Sequence, residues 1–204
     1  DATADVLKLS GGLLGAFDIS TAVYSQNFSV SAQDTLPKDL AFNTDGTKMY
    51  VLGDTGNDVN EYNLSTGFDV STAVYSKVLY TAYEMTAAGL TFKPDGTKMY
   101  VVGATQDEVH TYNLSTAFDI ATAAYSGASD FYVGGQAGNP TAIAFNTDGT
   151  KMFIISGSTG AVYEYNLSVG FDTPTSVYSQ NFSLIGEDAG PTGIAFNPDG
   201  TRMF

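Results

Sequence analysis

The chain has 204 residues, 43% of them hydrophobic, and a formal charge of −14 from 8 basic and 22 acidic side chains. Such an acidic chain lacks the clustered positive surface that a nucleic acid backbone requires, so we expect no nucleic acid partner. No segment approaches the roughly 20 apolar residues that span a bilayer, which predicts no membrane insertion.

Cysteine is absent and His110 is the only histidine. The absence of cysteine excludes disulfides, thiolate metal sites and a cysteine nucleophile. The single histidine argues against a Ser-His-Asp triad or a histidine-rich metal centre. The N-terminus carries no signal peptide pattern, yet a chain that starts at Asp1 is also what removal of one would leave, so export stays open.

The first clear structural unit contains four short β-like runs, which we name A to D. They are Asp39–Asn43, Lys48–Gly53, Asp58–Leu64 and Thr72–Leu79. Between A and B lies Asn-Thr-Asp-Gly, where glycine accepts the positive φ that a tight hairpin requires. Run A places Leu40 and Phe42 on one face, and both faces of the sheet are partly apolar, as packed blades require. The pattern therefore predicts antiparallel strands joined by short turns.

This unit recurs with a period of about fifty residues. The phrase at Phe42–Tyr50 returns at Phe92–Tyr100, Phe145–Phe153 and Phe196–Phe204, and Phe-Asp recurs from residues 17, 68, 118 and 171. A fixed period of this length indicates a solenoid or a propeller. Helical periodicity is missing, so we predict an all-β propeller of four-stranded antiparallel blades.

The predicted blades cover residues 39–80, 89–126, 141–183, and 192–204 together with 5–29. In the last of these, the two chain ends share one blade, which removes an exposed sheet edge. Three arrangements satisfy this pattern: a monomeric four-bladed ring, a homodimeric eight-bladed ring, and a fragment of a longer array.

Two of the hairpins carry a family resemblance. Lys-Pro-Asp-Gly-Thr-Lys-Met-Tyr at 93–100 and Asn-Pro-Asp-Gly-Thr-Arg-Met-Phe at 197–204 resemble the blades of bacterial β-propellers of the YVTN and surface-layer type. The phrase Tyr112–Ala123 is similar to propeller repeats of marine bacterial and bacteriophage structural proteins. The resemblance implies a propeller in an extracellular or virion-associated setting. Related propellers serve as adhesion modules, scaffolds, lectins and a few lactonase-like or lyase-like enzymes.

The acidic residues that recur in every unit are predicted to be structural. An aspartate before glycine in a hairpin accepts backbone N–H bonds and favours the turn. The aspartates after the repeated phenylalanines recur equally and receive the same interpretation. The two sets are Asp45, Asp95, Asp148 and Asp199, and Asp18, Asp69, Asp119 and Asp172.

Binding is predicted where the units differ, in the D-to-A and B-to-C loops, which should share one face of the ring. The longest D-to-A loop is predicted from Gly127 to Pro140. Aromatic, amide and carboxylate groups there suit a protein or a glycan ligand. The candidates are Tyr83, Glu84, Asp130, Phe131, Tyr132, Gln136, Glu187 and Asp188. The alternative for Phe131 and Tyr132 is that they plug the axial channel or cap the loop.

One loop carries a candidate metal site. Asp54, Asn57 and Asp58 offer oxygen ligands that suit Ca²⁺, although the EF-hand spacing and its terminal glutamate are missing. No other cofactor is expected. His110 lies on run C and is predicted to be a packed or inter-blade residue, because no catalytic partner is evident beside it.

These observations favour a noncatalytic structural or recognition module that binds through the variable loop face. A lectin-like sugar-binding propeller is the first alternative. A metal-dependent lactonase or hydrolase is the second, and it requires at least three convergent ligands from different blades at the axis.

Overall fold

The computed structural model describes residues 3–9, 22–81 and 86–204, with the backbone alone for 3–9 and Ala22. These residues form fifteen β-strands and several one-turn 3-10 segments, and no α-helix occurs among them. The described part of the chain contains no helix with the length and apolar character needed to cross a membrane.

The strands, in chain order, are β1 Thr3–Leu9, β2 Ala22–Ser29, β3 Pro37–Phe42, β4 Lys48–Gly53, β5 Asp58–Leu64, β6 Ala73–Tyr80, β7 Ala87–Phe92, β8 Lys98–Gly103, β9 Glu108–Leu114, β10 Ala123–Tyr125, β11 Phe131–Tyr132, β12 Pro140–Phe145, β13 Lys151–Ser156, β14 Ala161–Leu167 and β15 Ser176–Ser183. The 3-10 segments are Val70–Thr72, Ile120–Thr122, Gly127–Ser129 and Thr173–Thr175.

The strands form successive antiparallel sheets that follow chain order. Blade 1 is β3-β4-β5-β6, blade 2 is β7-β8-β9-β10 with β11 also paired to β9, and blade 3 is β12-β13-β14-β15. β1 and β2 form a two-stranded sheet, and residues 193–204 form a hairpin with a bridge between Phe196 and Met203. The predicted all-β propeller of four-stranded antiparallel blades is confirmed, and the expected count of four blades fits.

The inner strand of each blade lies against the inner strand of its neighbour, since β7 contacts both β3 and β12. Apolar side chains of adjacent blades then fill the space between the sheets. One core joins Tyr50 and Leu52 of blade 1 to Leu90 and Tyr112 of blade 2. The propeller is therefore stabilised mainly by burial between faces, as packed sheets require.

The A-to-B hairpins have the structure that their sequence predicts. In the first, the Asp45 carboxylate accepts hydrogen bonds from the Thr47 backbone N–H at 3.0 Å and from the Thr47 hydroxyl at 2.6 Å. Gly46 takes a φ of +71°. The ring of Phe68 covers Gly46, where a Cβ would lie 2.4 Å from Cδ2 of that ring. The glycine is thus required both by the turn and by the close approach of the ring.

A shared irregularity identifies the strands that correspond between units. The C-to-D pairing shifts by one residue between Glu61 and Tyr62 in blade 1 and between Glu164 and Tyr165 in blade 3. The pairing of β1 with β2 shifts at the corresponding place, after Val6. β1 and β2 therefore correspond to strands C and D of a blade, whereas residues 193–204 correspond to strands A and B.

Candidate metal centre in the second blade

Strand D of blade 2 is interrupted, unlike strand D of its neighbours. β6 and β15 each run for 8 residues. In blade 2, β10 ends at Tyr125, the 3-10 segment Gly127–Ser129 follows, and pairing resumes at Phe131. Four residues separate Tyr125 from Asp130, whereas two separate the equivalent Tyr75 from Val78. Blade 2 therefore carries a two-residue insertion.

The insertion places a carboxylate beside the only histidine. Phe131 pairs with Val109, so Asp130 comes next to His110, whose Nδ1 lies 3.3 Å from Asp130 Oδ2. The imidazole is fully buried. Glu108 lies two residues before His110 on β9 and so projects from the same face of the strand. One ligand atom from each of the three lies within 4.8 Å of the other two.

Tyr125 holds the carboxylate in place. Its hydroxyl donates a hydrogen bond to Asp130 Oδ2 and lies 3.5 Å from His110 Nδ1. Desolvation raises the pKa of Tyr125 well above its usual value of 10, and the hydrogen bond to Asp130 raises it further. The phenol is therefore protonated at neutral pH and acts as a donor. Asp130 Oδ1 is buried without a hydrogen-bond partner among the described residues.

The donor set fits a divalent transition metal. Two carboxylates and one imidazole are ligands of Zn²⁺ and Mn²⁺, whereas Ca²⁺ prefers oxygen alone. Two ligand atoms held at about 2.1 Å from a tetrahedral ion are about 3.4 Å apart. The observed 3.3 Å between His110 Nδ1 and Asp130 Oδ2 is close to that separation. The partnerless Asp130 Oδ1 offers a further acceptor to an ion or to water.

This cluster is specific to blade 2. Among the side chains that the structure describes, in residues 23–81 and 86–204, it is the one group of three His, Asp or Glu residues with ligand atoms this close. At the position of His110, blade 1 has Asn60 and blade 3 has Tyr163. Asn60 donates instead to Asp58 at 2.6 Å. The cluster therefore does not follow from the repeat.

The predicted loop-face residues lie in different surroundings. Tyr83 and Glu84 lie outside the described residues. Asp130 belongs to the cluster. Phe131 packs edge-on against Tyr165 of blade 3, with ring centroids 5.5 Å apart, so it fills the space between blades rather than the axial channel. Tyr132 is exposed, and its ring lies over Gly134.

The other loop-face candidates are exposed in recurring turns. The backbone N–H of Gln136 donates to the Val133 carbonyl at 3.0 Å, and that of Glu187 donates to the Leu184 carbonyl at 2.9 Å. Glu187 and Asp188 line a small cavity of about 210 Å³ on the blade 3 side. These residues therefore belong to other loops than the Glu108–His110–Asp130 cluster.

The predicted calcium loop is largely satisfied by protein groups. Asp54 pairs with Lys38 at 3.3 Å. Asn57 occupies a left-handed turn at a φ of 48°, and its Oδ1 has no hydrogen-bond partner among the described residues. Asp58 is buried, and desolvation followed by the nearby Asp34 raises its pKa. Asp54 and Asp58 are already engaged by Lys38 and by the Asn60 amide, which donates to Asp58 Oδ1 at 2.6 Å, so the Glu108–His110–Asp130 cluster is the stronger metal candidate.

Glu108 and Tyr125 were not among the predicted site residues. A metal-dependent hydrolase was expected to draw its ligands from several blades at the axis, whereas those of this cluster come from β9 and the segment just before β11. The available signal was the alignment of strand D between units, which places the insertion immediately before Asp130. His110 is packed, as predicted, and it also contacts a polar side chain, since Asp130 Oδ2 lies 3.3 Å from its Nδ1.

Neither the family models nor the curated proteins contain a match to this chain. Solved structures do match at the level of fold. They include a candidate 6-phosphogluconolactonase from Bacteroides fragilis NCTC 9343, with 15% identity and a TM-score of 0.52 over 80% of this chain and 42% of that chain. A second candidate 6-phosphogluconolactonase, from Bacteroides uniformis, has 12% identity and a TM-score of 0.53 over 88% of this chain and 48% of that chain.

A third match is Chaetomium thermophilum Sqt1 bound to the N-terminus of ribosomal protein L10, with 15% identity and a TM-score of 0.53 over 95% of this chain and 46% of that chain. The chain thus spans just under half the length of these structures. Likeness at such low identity shows the propeller fold alone, and the more specific YVTN or phage-type resemblance has no match in these comparisons.

The prediction of a noncatalytic module is wrong. It treated the repeat architecture and the missing acid–base partner as evidence against an enzyme, but chains that share this fold include the two candidate 6-phosphogluconolactonases. The physical premise also fails, because the insertion in strand D brings Asp130 within 3.3 Å of His110. The lactonase or hydrolase alternative agrees better with both findings.

Proposed function

We propose that this chain is a metal-dependent hydrolase that opens cyclic esters of sugar acids, with Glu108, His110 and Asp130 as the metal ligands. The observation that carries the proposal is the convergence of these three side chains in one blade, within 4.8 Å. The propeller fold that the chain shares with candidate 6-phosphogluconolactonases supports the choice of substrate class.

The roles of the residues follow from their contacts. A bound divalent ion would supply Lewis acidity toward the ester carbonyl and would lower the pKa of a coordinated water. His110 Nδ1 and Asp130 Oδ2, which lie 3.3 Å apart, would both face the ion. Tyr125 donates to Asp130 and keeps that carboxylate in position. Such a contact to a ligand typically raises both metal affinity and activity.

A sugar-derived substrate has a place to bind beside the cluster. Tyr132 is exposed and pairs directly across from Glu108. An aromatic ring offers an apolar face to a sugar, and the neighbouring carboxylate accepts hydroxyl donors. We assign Tyr132 to substrate binding. For the family and the setting, the Pro-Asp-Gly hairpins support a YVTN or surface-layer type of propeller in an extracellular or virion-associated location.

The test is a lactone hydrolysis assay on chelated protein and on protein reloaded with Zn²⁺ or Mn²⁺, using gluconolactone as the probe. We expect metal-dependent ring opening and one ion per chain by elemental analysis. Asp130→Asn should lower kcat/KM by about 100-fold or more, because it replaces a carboxylate metal ligand with a neutral amide. The exposed carboxylate variant Glu187→Gln serves as the matched control and should retain activity.

Thermal melting of both variants separates a lost site from a lost fold. A reloaded wild-type protein that opens the lactone no faster than buffer contradicts the proposal. So does equal activity in Asp130→Asn and Glu187→Gln.

A further inference from the structure

The peptide group before Asp130 is held by the neighbouring blade. The hydroxyl of Thr173, in the C-to-D turn of blade 3, donates to the Ser129 carbonyl at 2.6 Å. That carbonyl belongs to the peptide group that joins Ser129 to Asp130. Because a peptide group is planar, a hydrogen bond to its oxygen also restrains the direction in which the next Cα lies. The position of Asp130 therefore depends on a residue of blade 3.

The other end of the same peptide group is held less closely. The Asp130 N–H donates to the Gly127 carbonyl at 3.4 Å, which is at the long end of hydrogen-bond distances. On the far side of Asp130, strand pairing resumes between Phe131 and Val109. The 2.6 Å bond from Thr173 is thus the tighter of the two hydrogen bonds on the peptide group that precedes the carboxylate.

Thr111 supports this contact from β9, the strand that carries His110. Thr111 and Thr173 are each 1% exposed, and their hydroxyl oxygens lie 3.1 Å apart. Thr111 Oγ1 also lies 3.3 Å from the Ser129 carbonyl oxygen. A hydroxyl has a single proton, and Thr173 gives its own to Ser129, so Thr111 is the donor within the threonine pair. The two threonines therefore tie the Ser129 carbonyl to β9.

Three departures from the repeat meet at this carbonyl. The position of Thr173 is occupied by the buried apolar residues Val70 and Ile120 in the preceding C-to-D turns. At the position of Thr111, blades 1 and 3 have glutamate. Ser129 itself belongs to the 3-10 segment that interrupts strand D of blade 2. Since apolar side chains serve for packing in the other turns, the buried threonine pair indicates a role for its hydroxyls beside the metal candidate.

We propose that Thr173 is a positioning residue for the metal site in blade 2. Through the Ser129 carbonyl, its hydroxyl holds Asp130 where Oδ2 lies 3.3 Å from His110 Nδ1. Thr111 keeps that hydroxyl on the carbonyl. The identity of the metal ligands comes from the proposed function, on which this inference rests. Metal affinity then depends on the junction between blades 2 and 3, and a bound ion stabilises that junction by the same free energy.

The Zn²⁺ affinity of the full chain tests the positioning role. Thr173→Val keeps the shape of the side chain and removes the hydroxyl, so it should weaken Zn²⁺ binding by about 10-fold or more, as lost contacts behind a metal ligand do. Thr173→Ser keeps the hydroxyl and should retain most of the affinity. Ile120→Val, at the equivalent position of the preceding turn, is the matched control and should bind Zn²⁺ as the parent does. Competition with a chromophoric chelator gives each dissociation constant.

The imidazole of His110 gives a second readout that needs no metal. His110 is the only histidine, so its side-chain NMR signals are assigned without ambiguity. In the metal-free chain, Thr173→Val should shift these signals, because Asp130 moves relative to Nδ1. Thr173→Ser and Ile120→Val should leave them near their positions in the parent.

The outcomes separate this inference from the proposed function. Equal Zn²⁺ affinity in Thr173→Val and the parent overturns the inference, as do unchanged imidazole signals in Thr173→Val or an equal loss of affinity in Ile120→Val. Zn²⁺ binding that Thr173→Val weakens, in a parent chain that opens no lactone, supports the inference and contradicts the proposed function. A parent chain that binds no Zn²⁺ overturns both.

Discussion

The junction between blades 1 and 2 and the junction between blades 2 and 3 join equivalent strands through different chemistry. In the first, the buried Glu61 carboxylate lies 3.0 Å from Lys48 Nζ and 3.8 Å from Lys77 Nζ. Lys77 also pairs with Asp119 of blade 2 at 2.7 Å. This junction is therefore linked by charges, which is the arrangement that a buried carboxylate requires.

The second junction has neutral groups at the corresponding positions, and Lys98 Nζ donates across it to the Phe171 carbonyl at 3.1 Å. Thr111 stands where blade 1 has Glu61, and its hydroxyl lies 3.1 Å from that of Thr173 in blade 3. The Thr173 hydroxyl donates to the Ser129 carbonyl at 2.6 Å. Ser129 reaches this position because of the insertion in strand D. In blade 2, which carries the candidate metal site, neutral groups replace the ion pairs of the first junction. Among the described residues, no lysine therefore pairs with Asp130 there.

The largest expected effect concerns the apolar anchor of the first junction. Ile120 is fully buried, and Thr173 is its equivalent in blade 3. Ile120→Ala should lower the free energy of unfolding by about 2–5 kcal/mol, because it leaves a cavity in the core between blades 1 and 2. Urea denaturation measures the change.

The exposed Ile185→Ala variant is the control for that experiment and should stay within about 0.5 kcal/mol of the parent. If the two isoleucine variants lower the free energy of unfolding equally, blade 2 is not anchored through Ile120.

An intermediate effect is expected at the polar anchor of the second junction. Thr173→Val keeps the shape of the side chain but removes the hydroxyl that donates to Ser129. A buried polar group that loses its partner costs about 1–3 kcal/mol. Thr55→Val, at an exposed hydroxyl pair with Thr35, provides the matched control. A Thr173→Val protein as stable as its parent would show that the hydroxyl link is dispensable.

The smallest effect separates the two junctions by pH. Hydrogen bonding to Lys77 lowers the pKa of Asp119 from 3.8, and the same bond raises the pKa of Lys77 from 10.5. The contribution of this pair to stability is therefore complete between about pH 5 and pH 9, falls as Asp119 is protonated in acid, and falls as Lys77 loses its proton in strong base.

Lys77→Met should consequently lower stability by only about 0.2–1 kcal/mol at neutral pH, because the pair is partly exposed to solvent. The difference from wild type should shrink below pH 4. The neutral link of blade 3 does not titrate, so Thr173→Val should show a difference that is constant with pH over that acid range. A constant difference for Lys77→Met would contradict the ionic account of the first junction.

The repeated features were predictable from sequence because they depend on local chemistry. Asp45 and Gly46 form a hairpin that needs only neighbouring residues. The strands A, B and C were accordingly placed close to their observed bounds. Local turn chemistry and periodicity determine these elements without knowledge of the rest of the ring.

The metal candidate was not predictable in the same way because it depends on register across strands. His110 and Asp130 are twenty positions apart, and the 3-10 segment Gly127–Ser129 determines that they meet. In sequence that segment looks like the start of a glycine-rich loop. Phe131 was likewise assigned to a binding loop, because nothing local shows that pairing with Val109 resumes there.

The four A-to-B hairpins have a further consequence for chemical durability. Asp-Gly bonds isomerise readily, since the glycine nitrogen can attack the side-chain carboxyl carbon of the preceding aspartate and form a cyclic imide. In this fold, both reacting groups are held: the Gly149 N–H donates to the Asn146 carbonyl at 3.0 Å, and Asp148 Oδ1 accepts from the Thr150 hydroxyl at 2.6 Å. Equivalent bonds hold Gly46, Gly96 and Gly200. The turn that joins strands A and B in each unit therefore slows isomerisation of its own backbone. All four Asp-Gly bonds should isomerise more slowly in the folded chain than in the unfolded chain.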